Sequence, residues 1–266
     1  MRFPRSALFA AFAVLWAAAS ARADDTQGWT ALQHHYDPQG KEVGTSQLTY
    51  GAHTLRIDSQ GRTMVIELTT GTMSIFDDES RSFTRITVEE MIAIRDRMKA
   101  ELEKQMESLP AEMKAELQAQ LETQEEAARA PLKATRTSET DTVHGLSCRI
   151  YTWRRPEGPG QACIAVDVPA DVDAFRRDLV TLSERMAKVA ASGAADSMAF
   201  LQLGEYGFPL RTKQQVELGN ESVEVVTTFS DIESKAVDIT FFAPPADYTQ
   251  RSAEDMMQSM LRRNAP

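Results

Sequence analysis

The sequence predicts an α+β protein in which an antiparallel sheet packs with one face on helices. Three observations predict this class. Short runs of alternating apolar and polar residues, separated by turn residues, fill the first third of the chain and return near its end; this pattern is typical of antiparallel strands with one buried face. Two long stretches between them carry apolar residues at helical spacing. Strands and helices are grouped and do not alternate, which favours an α+β class over a parallel α/β sheet.

The first 23 residues have the pattern of a secretory signal. Arg2 and Arg5 precede an apolar stretch over 7–19, and small residues, Ala21 and Ala23, stand where a signal peptidase requires them. We expect cleavage after Ala23 and a periplasmic or secreted protein; an uncleaved N-terminal anchor is the alternative. No later apolar run approaches about 18 residues, so we expect no transmembrane segment in the mature chain.

A series of six short strands is predicted after the signal. Turn residues separate the runs every eight to twelve positions, which indicates an antiparallel meander. The predicted strands are 29–36, 47–50, 54–58, 63–69, 72–76 and 82–86. In the fourth strand Met64, Ile66 and Leu68 share one face, because side chains alternate along a strand.

The apolar period changes from two to helical at Thr87. Thr87 and Glu90 form a capping box, in which each side chain bonds the backbone amide of the other residue. A helical insert over 88–130 follows, and Pro110 interrupts it. Its apolar stripe is Met91, Ile94, Met98, Leu102, Met106 and Leu109, then Met113, Leu117 and Leu121. Residues 131–141 are predicted to be a linker or an irregular strand.

The two cysteines of the chain lie on a predicted hairpin in the middle of the sheet. Cys148 stands on the run 147–153 and Cys163 on the run 162–168, with a turn rich in Gly and Pro between them. Export would allow them to form a disulfide that braces the hairpin; two buried thiols are the alternative. A redox pair is disfavoured, since nothing indicates a reactive thiol.

The remaining elements complete one domain, 24–250, with a tail over 251–266. Asp171 is the predicted N-cap of a helix that continues to about residue 192. The other predicted elements are a shorter helix over 194–203, strands over 210–218, 222–229 and 236–242, and a Met-rich helix over 252–263. We expect the two meanders and the hairpin to share one sheet whose buried face packs on helices from 88–130 and 171–203.

Four short motifs resemble the DUF4412 family of exported bacterial proteins of unknown function. They are Gly145 to Tyr151 with Cys148, the run 162–166 with Cys163, Tyr206-Gly207-Phe208-Pro209-Leu210, and Phe241 and Pro244 leading to Tyr248. Asp247 departs from the family pattern, in which Gly often precedes the Tyr, and the insert is long. The resemblance implies a fold similar to lipoprotein-carrier half-barrels, a curved antiparallel sheet with helices on its concave side. It implies no activity and no catalytic residues.

The net charge excludes one class of partner. The chain has 29 Lys and Arg against 39 Asp and Glu, a formal net charge of −10. Nucleic-acid binding depends on cations that neutralise phosphates, so we expect no nucleic-acid partner. The same charge argues against an anionic membrane surface.

No motif of high specificity for catalysis, metal or cofactor binding is present. His34 and His35 point to opposite faces of a strand, so they do not readily share a metal unless His53 and His144 join them. Ser147 lacks the second Gly of a nucleophile elbow.

The acidic groups are best interpreted as structural. Residues 77–79 fit a hairpin turn, and Asp167, Asp171 and Asp173 fit a strand end and a helix start. We therefore expect no catalytic residue, no metal, no cofactor and no enzyme; converging titratable groups in a cleft would favour an enzyme.

Methionine stripes are the remaining signal. Met is flexible and polarizable, so it suits adaptable apolar surfaces. Three interpretations are open for the stripes of 91–113 and of Met256, Met257 and Met260. They simply cover the sheet, they line a cleft, or they bind copper through their thioethers. We predict a cleft for a hydrophobic ligand, such as an acyl chain, or a segment of an envelope protein. Its predicted lining is Met64, Ile66, Leu68, Met91, Ile94, Met98, Leu102 and Met106. The alternative is an interaction module that uses the 88–130 helices as a docking arm.

Overall fold

The computed structural model describes residues 25–155, 158–189, 200–218 and 221–255. Its centre is one open sheet of twelve strands. Together with the helices, this sheet confirms the predicted α+β class. The strands are β1 (Asp25–Tyr36), β2 (Glu42–Gly51), β3 (Thr54–Ser59), β4 (Arg62–Glu67), β5 (Thr72–Asp77), β6 (Ser82–Ile86), β7 (Thr135–Val143), β8 (Leu146–Arg155), β9 (Gly158–Ala165), β10 (Pro209–Leu218), β11 (Glu221–Asp238) and β12 (Thr249–Arg251). The order across the sheet is β12-β6-β5-β4-β3-β2-β1-β11-β10-β9-β8-β7. Neighbours are antiparallel except β12 and β6, which are parallel.

Three α-helices are described, and short 3-10 turns precede β10 and β12. The helices are α1 (Val88–Glu107), α2 (Ala111–Arg129) and α3 (Asp173–Met186). The 3-10 turns are Leu203–Glu205 and Ile239–Phe242. Within the described residues, every helix is too short or too polar to cross a membrane.

The main core lies between α3 and one face of the sheet, which we call the inner face. Trp29 on β1 packs edge-on against Phe175 of α3, with ring centroids 4.9 Å apart, and against Phe208 at 5.6 Å. Phe208 in turn contacts Phe229 of β11. Burial of such aromatic and aliphatic side chains stabilises by roughly 1.5–3 kcal/mol each, so this cluster determines where α3 lies.

The opposite, outer face of β3 to β6 is covered by the C-terminal segment. The guanidinium of Arg56 lies 4.2 Å from the ring centroid of Phe241 and donates to the carbonyl of the same residue. Tyr248 packs edge-on against Phe76 and donates its hydroxyl proton to Asp78 at 2.6 Å. These contacts explain why the segment from Phe241 to Tyr248 carries aromatic residues after the last long strand.

The cysteine hairpin, β8 and β9, lies one strand in from the edge of the sheet, so its predicted central position is wrong. β9 pairs with β10, while β8 pairs with the edge strand β7. The C-terminal pair β10–β11 lies between the hairpin and the N-terminal meander instead. Cys148 and Cys163 form the predicted disulfide and are both buried.

β11 is a single strand of 18 residues where the sequence predicted two strands. Between the two predicted strands, Asp231 and Ile232 form a β-bulge, at which the pairing with β1 shifts between Thr30 and Leu32. Asp231 in this bulge has a positive φ of 50°. Residues 239–242, predicted as strand, form a 3-10 turn, because Asp238 accepts from the backbone amide of Thr240 and ends the ladder.

α1 and α2 connect two strands that are far apart in the sheet. β6 is next to the edge strand β12, and β7 is the opposite edge. The predicted capping box of Thr87 and Glu90 begins α1. At the far end, Leu132 donates its amide to Gln202, and Tyr206 bonds the backbone of Leu132. We call the insert over 88–130 the strap, because it joins β6, beside one edge of the sheet, to β7 at the other edge.

Two glycines allow the strap and the loop before β10 to approach the sheet. Gly71 has a φ of +76°, and a Cβ there would lie 2.5 Å from Val88 of α1. Gly207 has a φ of +142°, and a Cβ there would lie 2.4 Å from Ile164 of β9. Both positions therefore require Gly for conformation and for space.

Candidate functional site

A half-covered apolar surface lies on the inner face of β3 to β5. Residues directly opposite each other on paired strands share a face. Leu55, Ile66 and Met73 form one such row, and Ile57, Met64 and Ile75 form the next. In these rows Leu55 is buried, whereas the other five side chains are each partly exposed. We call these five residues, Ile57, Met64, Ile66, Met73 and Ile75, the apolar surface.

The predicted cleft residues of α1 meet three different environments. Met91 and Ile94 in the first turns are half-buried. Met98 and Leu102 are 65% and 38% exposed, so they do not line an enclosed cleft, whereas Met106 is buried. Of the predicted sheet residues, Met64 and Ile66 belong to the apolar surface.

Leu68, the last predicted lining residue, is fully buried. It belongs to the main core with α3 and is not part of the open surface. Of the eight predicted lining residues, Met64, Ile66, Met91 and Ile94 are the four that are partly exposed and partly covered.

Tyr50, His53 and Asp178 converge at one end of the apolar surface. The hydroxyl of Tyr50 donates to Oδ2 of Asp178 at 2.7 Å. Nδ1 of His53 lies 3.0 Å from the same oxygen. Asp178 stands on the buried face of α3, yet its carboxylate has two partners, which offsets its desolvation.

The electrostatics of this cluster are dominated by burial. Burial, then the hydrogen bond to Asp178, raises the pKa of Tyr50 far above its ordinary value. His53 is different, since its side chain is 62% exposed. With Nδ1 bonded to Asp178, Nε2 is the ring nitrogen that remains for a ligand or for solvent.

The backbone that carries His53 is strained. Ala52 and His53 form the turn between β2 and β3 with φ values of 48° and 62°, a region that favours Gly and Asn. The carbonyl of His53 accepts from the amide of Leu68, which ties this turn to the end of β4. Such a conformation costs free energy and persists only where surrounding contacts maintain it. Residues of this kind cluster at functional sites.

The other three histidines are His34 and His35, which alternate on β1, and His144 at the turn between β7 and β8. His34 lies on the outer face of β1 and contacts Glu42 and Ser230, and its ring stacks on that of His144. Burial, then the charge of neighbouring His34, lowers the pKa of His35. Within the residues that the structure describes, no three His, Cys, Asp or Glu side chains are arranged to hold a metal.

The acidic groups are turn and helix-start residues, as the sequence indicated. Asp77 accepts from the amides of Glu79 and Ser80 in the turn after β5. Asp171 accepts from the amide of Asp173. The N-cap of α3 is however Val172, one residue later than predicted. Asp167 and Ser147 are exposed. Of the helices predicted over 194–203 and 252–263, the parts 194–199 and 256–263 lie outside the described residues.

Sequence reasoning missed Tyr50 and Asp178 as site residues. Asp178 falls three residues after Phe175, on the apolar side of α3, and a carboxylate at a buried helical position is the one available signal. Its partners are more than 120 residues earlier in the chain, so only the fold brings them together.

The comparisons with known proteins give a family and a distant structural likeness. The model of a family described as a domain of unknown function, DUF4412, matches residues 54–248. No curated protein matches the chain. Two crystal forms of PNGF-II are similar at 10% sequence identity, with TM-scores of 0.41 and 0.40. The match covers 89% of this chain, which spans about a third of the length of those proteins, 33% and 34%.

Proposed function

Because the chain belongs to the DUF4412 family, whose description assigns no activity, we propose a function from the geometry: the apolar surface binds an acyl chain. The proposed role of this surface is binding without chemistry. The N-terminal sequence pattern supports a periplasmic or secreted location for that role.

The observation that carries this proposal is the incomplete cover over five adjoining aliphatic side chains. Ile57, Met64, Ile66, Met73 and Ile75 share one face and remain partly exposed. Burial of each further CH2 group stabilises by about 0.8 kcal/mol, so an acyl chain laid on this surface gains affinity along its length.

The polar cluster supports a ligand with a polar head. His53 lies in the hairpin turn that follows Tyr50 and Gly51, and Asp178 orients its ring. The exposed imidazole nitrogen suits a carboxylate or carbonyl oxygen at the end of the chain.

Binding of a fluorescent fatty acid to the purified protein tests the proposal. The double variant Met64→Gln, Met73→Gln keeps the side-chain shape and adds polarity. We expect at least a tenfold loss of affinity with little change in melting temperature. The control is Met113→Gln on α2, where Met113 is already 50% exposed. Wild-type protein that binds no fatty acid, and shows no lipid by native mass spectrometry, would contradict the proposal.

A second candidate function, partner binding by the strap, is favoured by its exposed apolar residues. Met98, Leu102 and Met113 are 65%, 38% and 50% exposed on α1 and α2. A photo-crosslinking amino acid at position 98 should give a discrete adduct with an envelope protein. The same group at Glu101, a charged position on α1, is the control. Equal adducts from both positions, or none, would count against a docking arm.

A further inference from the structure

The outer face of the sheet brings a serine, a histidine and a glutamate into hydrogen-bond contact. Nε2 of His34 lies 2.8 Å from Oγ of Ser230. Nδ1 of the same ring lies 3.0 Å from Oε2 of Glu42. The two ring nitrogens of His34 therefore each face one partner, the hydroxyl on one side and the carboxylate on the other.

Strand pairing, and not closeness in sequence, assembles this group. Glu42 lies on β2, His34 on β1 and Ser230 on β11. In the ladder, Ser230 is opposite Leu32, and Glu42 is opposite Tyr36, so both flank His34 on the same face. Paired strands thus bring a hydroxyl, an imidazole and a carboxylate together in the order in which acyl-transfer enzymes arrange a nucleophile, a base and an orienting acid.

The backbone at Ser230 is irregular as well. The β-bulge of β11 follows Ser230 directly, and Asp231 in it has the positive φ of 50°. Bulges re-aim side chains and are over-represented next to active sites. A non-glycine residue with left-handed backbone is costly, so contacts around it must maintain it.

Exposure to solvent increases from Ser230 through His34 to Glu42. Ser230 is 8% exposed, and the side chains of His34 and Glu42 are 16% and 45% exposed. The exposed His144 stacks on His34 with centroids 5.5 Å apart, and its ring lies 3.3 Å from the hydroxyl of Thr228. The cover over Ser230 and His34 disfavours a bulky substrate.

We propose that Ser230, His34 and Glu42 form a hydrolytic site for small carboxylic esters. This goes beyond the binding function of the inner face, and it opposes the expectation from the sequence that the chain is not an enzyme. The proposal follows from three side chains that converge in the structure. No sequence motif indicated them, since the nucleophile-elbow sequence is absent around Ser147 and Ser230 is far from the other two residues in the chain.

The chemistry uses the hydrogen-bond order of the group. With the Nδ1 proton of His34 donated to Glu42, Nε2 is free to accept. The single hydroxyl proton of Ser230 is donated to Oδ2 of Asp231 at 2.9 Å in the structure. Rotation about the Cβ–Oγ bond redirects this proton from Asp231 to Nε2 of His34.

The first half of the reaction forms an acyl-serine. Oγ of Ser230 bonds the carbonyl carbon of the ester while its proton passes to Nε2 of His34. The C–O bond to the alcohol then breaks, and the alcohol leaves with that proton. In the second half, water attacks the acyl-serine and gives a proton to His34. The carboxylic acid is released as that proton returns to Ser230.

A fluorophosphonate probe and p-nitrophenyl acetate test the proposal on the full chain. We expect the probe to label Ser230, located by peptide mass spectrometry. His34→Asn and Glu42→Gln should each slow labelling and ester hydrolysis, His34→Asn by at least about 100-fold, the lower range for loss of a general base. Ser234→Ala, an exposed serine on the same strand, is the control and should react as wild type.

Two results would overturn the proposal. One is absence of label on Ser230 in protein that is folded by circular dichroism. The other is ester hydrolysis that persists unchanged in His34→Asn or Ser230→Ala, because that rate would come from other imidazoles in the chain. If Ser230→Ala does not fold, labelling of His34→Asn and Glu42→Gln still decides the question.

Discussion

Asp178, through its buried carboxylate, links the main core under α3 to the candidate binding site at Tyr50 and His53. It stands among the apolar residues of α3 and holds both Tyr50 of β2 and the turn residue His53. A buried acceptor left without its donor costs about 1–3 kcal/mol, so Tyr50 and Asp178 stabilise the contact of α3 with the sheet mainly as a pair.

The raised pKa of Tyr50 predicts loss of stability in alkali. Burial and the bond to Asp178 favour the neutral phenol in the folded state, so its folded pKa lies above the unfolded value of about 10. The stabilisation is complete below about pH 10 and is lost as the pH rises further. Urea unfolding across pH 8 to 11 should show this fall, and Tyr50→Phe should reduce it. A fall of equal size in Tyr50→Phe would assign it to other groups.

The disulfide should stabilise the hairpin without affecting ligand binding. Cys148 and Cys163 are 15 residues apart, and a closed loop of that size contributes about 3 kcal/mol in the chain-entropy model. Urea unfolding with and without dithiothreitol measures the difference. Fatty-acid affinity should be unchanged by reduction, because the apolar surface lies several strands away, on β3 to β5. Loss of binding with stability retained would contradict this separation.

At the scale of elements, α1 is anchored at few positions. Val88 and Met106 are its two buried residues, whereas Met98 is 65% exposed. Met106→Ala should lower the free energy of unfolding by about 2–5 kcal/mol, the range for buried Met. Met98→Ala should change it by less than about 0.5 kcal/mol, as expected at exposed sites. Equal costs at the two positions would show that α1 packs along its whole length.

The sequence predicted the strands and helices well, because alternation, helical spacing and capping residues lie within the element that they indicate. β6 and the start of α1 were predicted to the residue from alternation and the capping box. β11 was divided in error, because the bulge at Asp231 uses the same polar residues as a turn. The contacts of Asp178 and of Ser230 could not be predicted, since each depends on which strands and helices become neighbours across more than 100 residues.

At the scale of the whole molecule, the sheet order explains why the insert cannot be a simple removable arm. β6 and β7 occupy the second and twelfth positions in the sheet, ten strand spacings apart. At about 4.8 Å per spacing, the path across the sheet is roughly 48 Å, and curvature shortens the direct distance. Any replacement of the strap has to bridge those two edges.

Replacement of residues 88–129 by linkers of two lengths tests this connection. A six-residue linker reaches at most about 21 Å when fully extended, so it should prevent the native sheet from forming. A 40-residue Gly/Ser linker has a root-mean-square span of roughly 35 Å and should permit folding, with stability lowered by the lost burial of Val88 and Met106. Cooperative thermal unfolding and the β-sheet circular dichroism signal distinguish the two. A six-residue variant that folds as well as the longer one would place the edges of the sheet close together and contradict the strap. If neither variant folds, α1 and α2 are part of the core, and the exposed residues of the strap need another explanation than a docking surface.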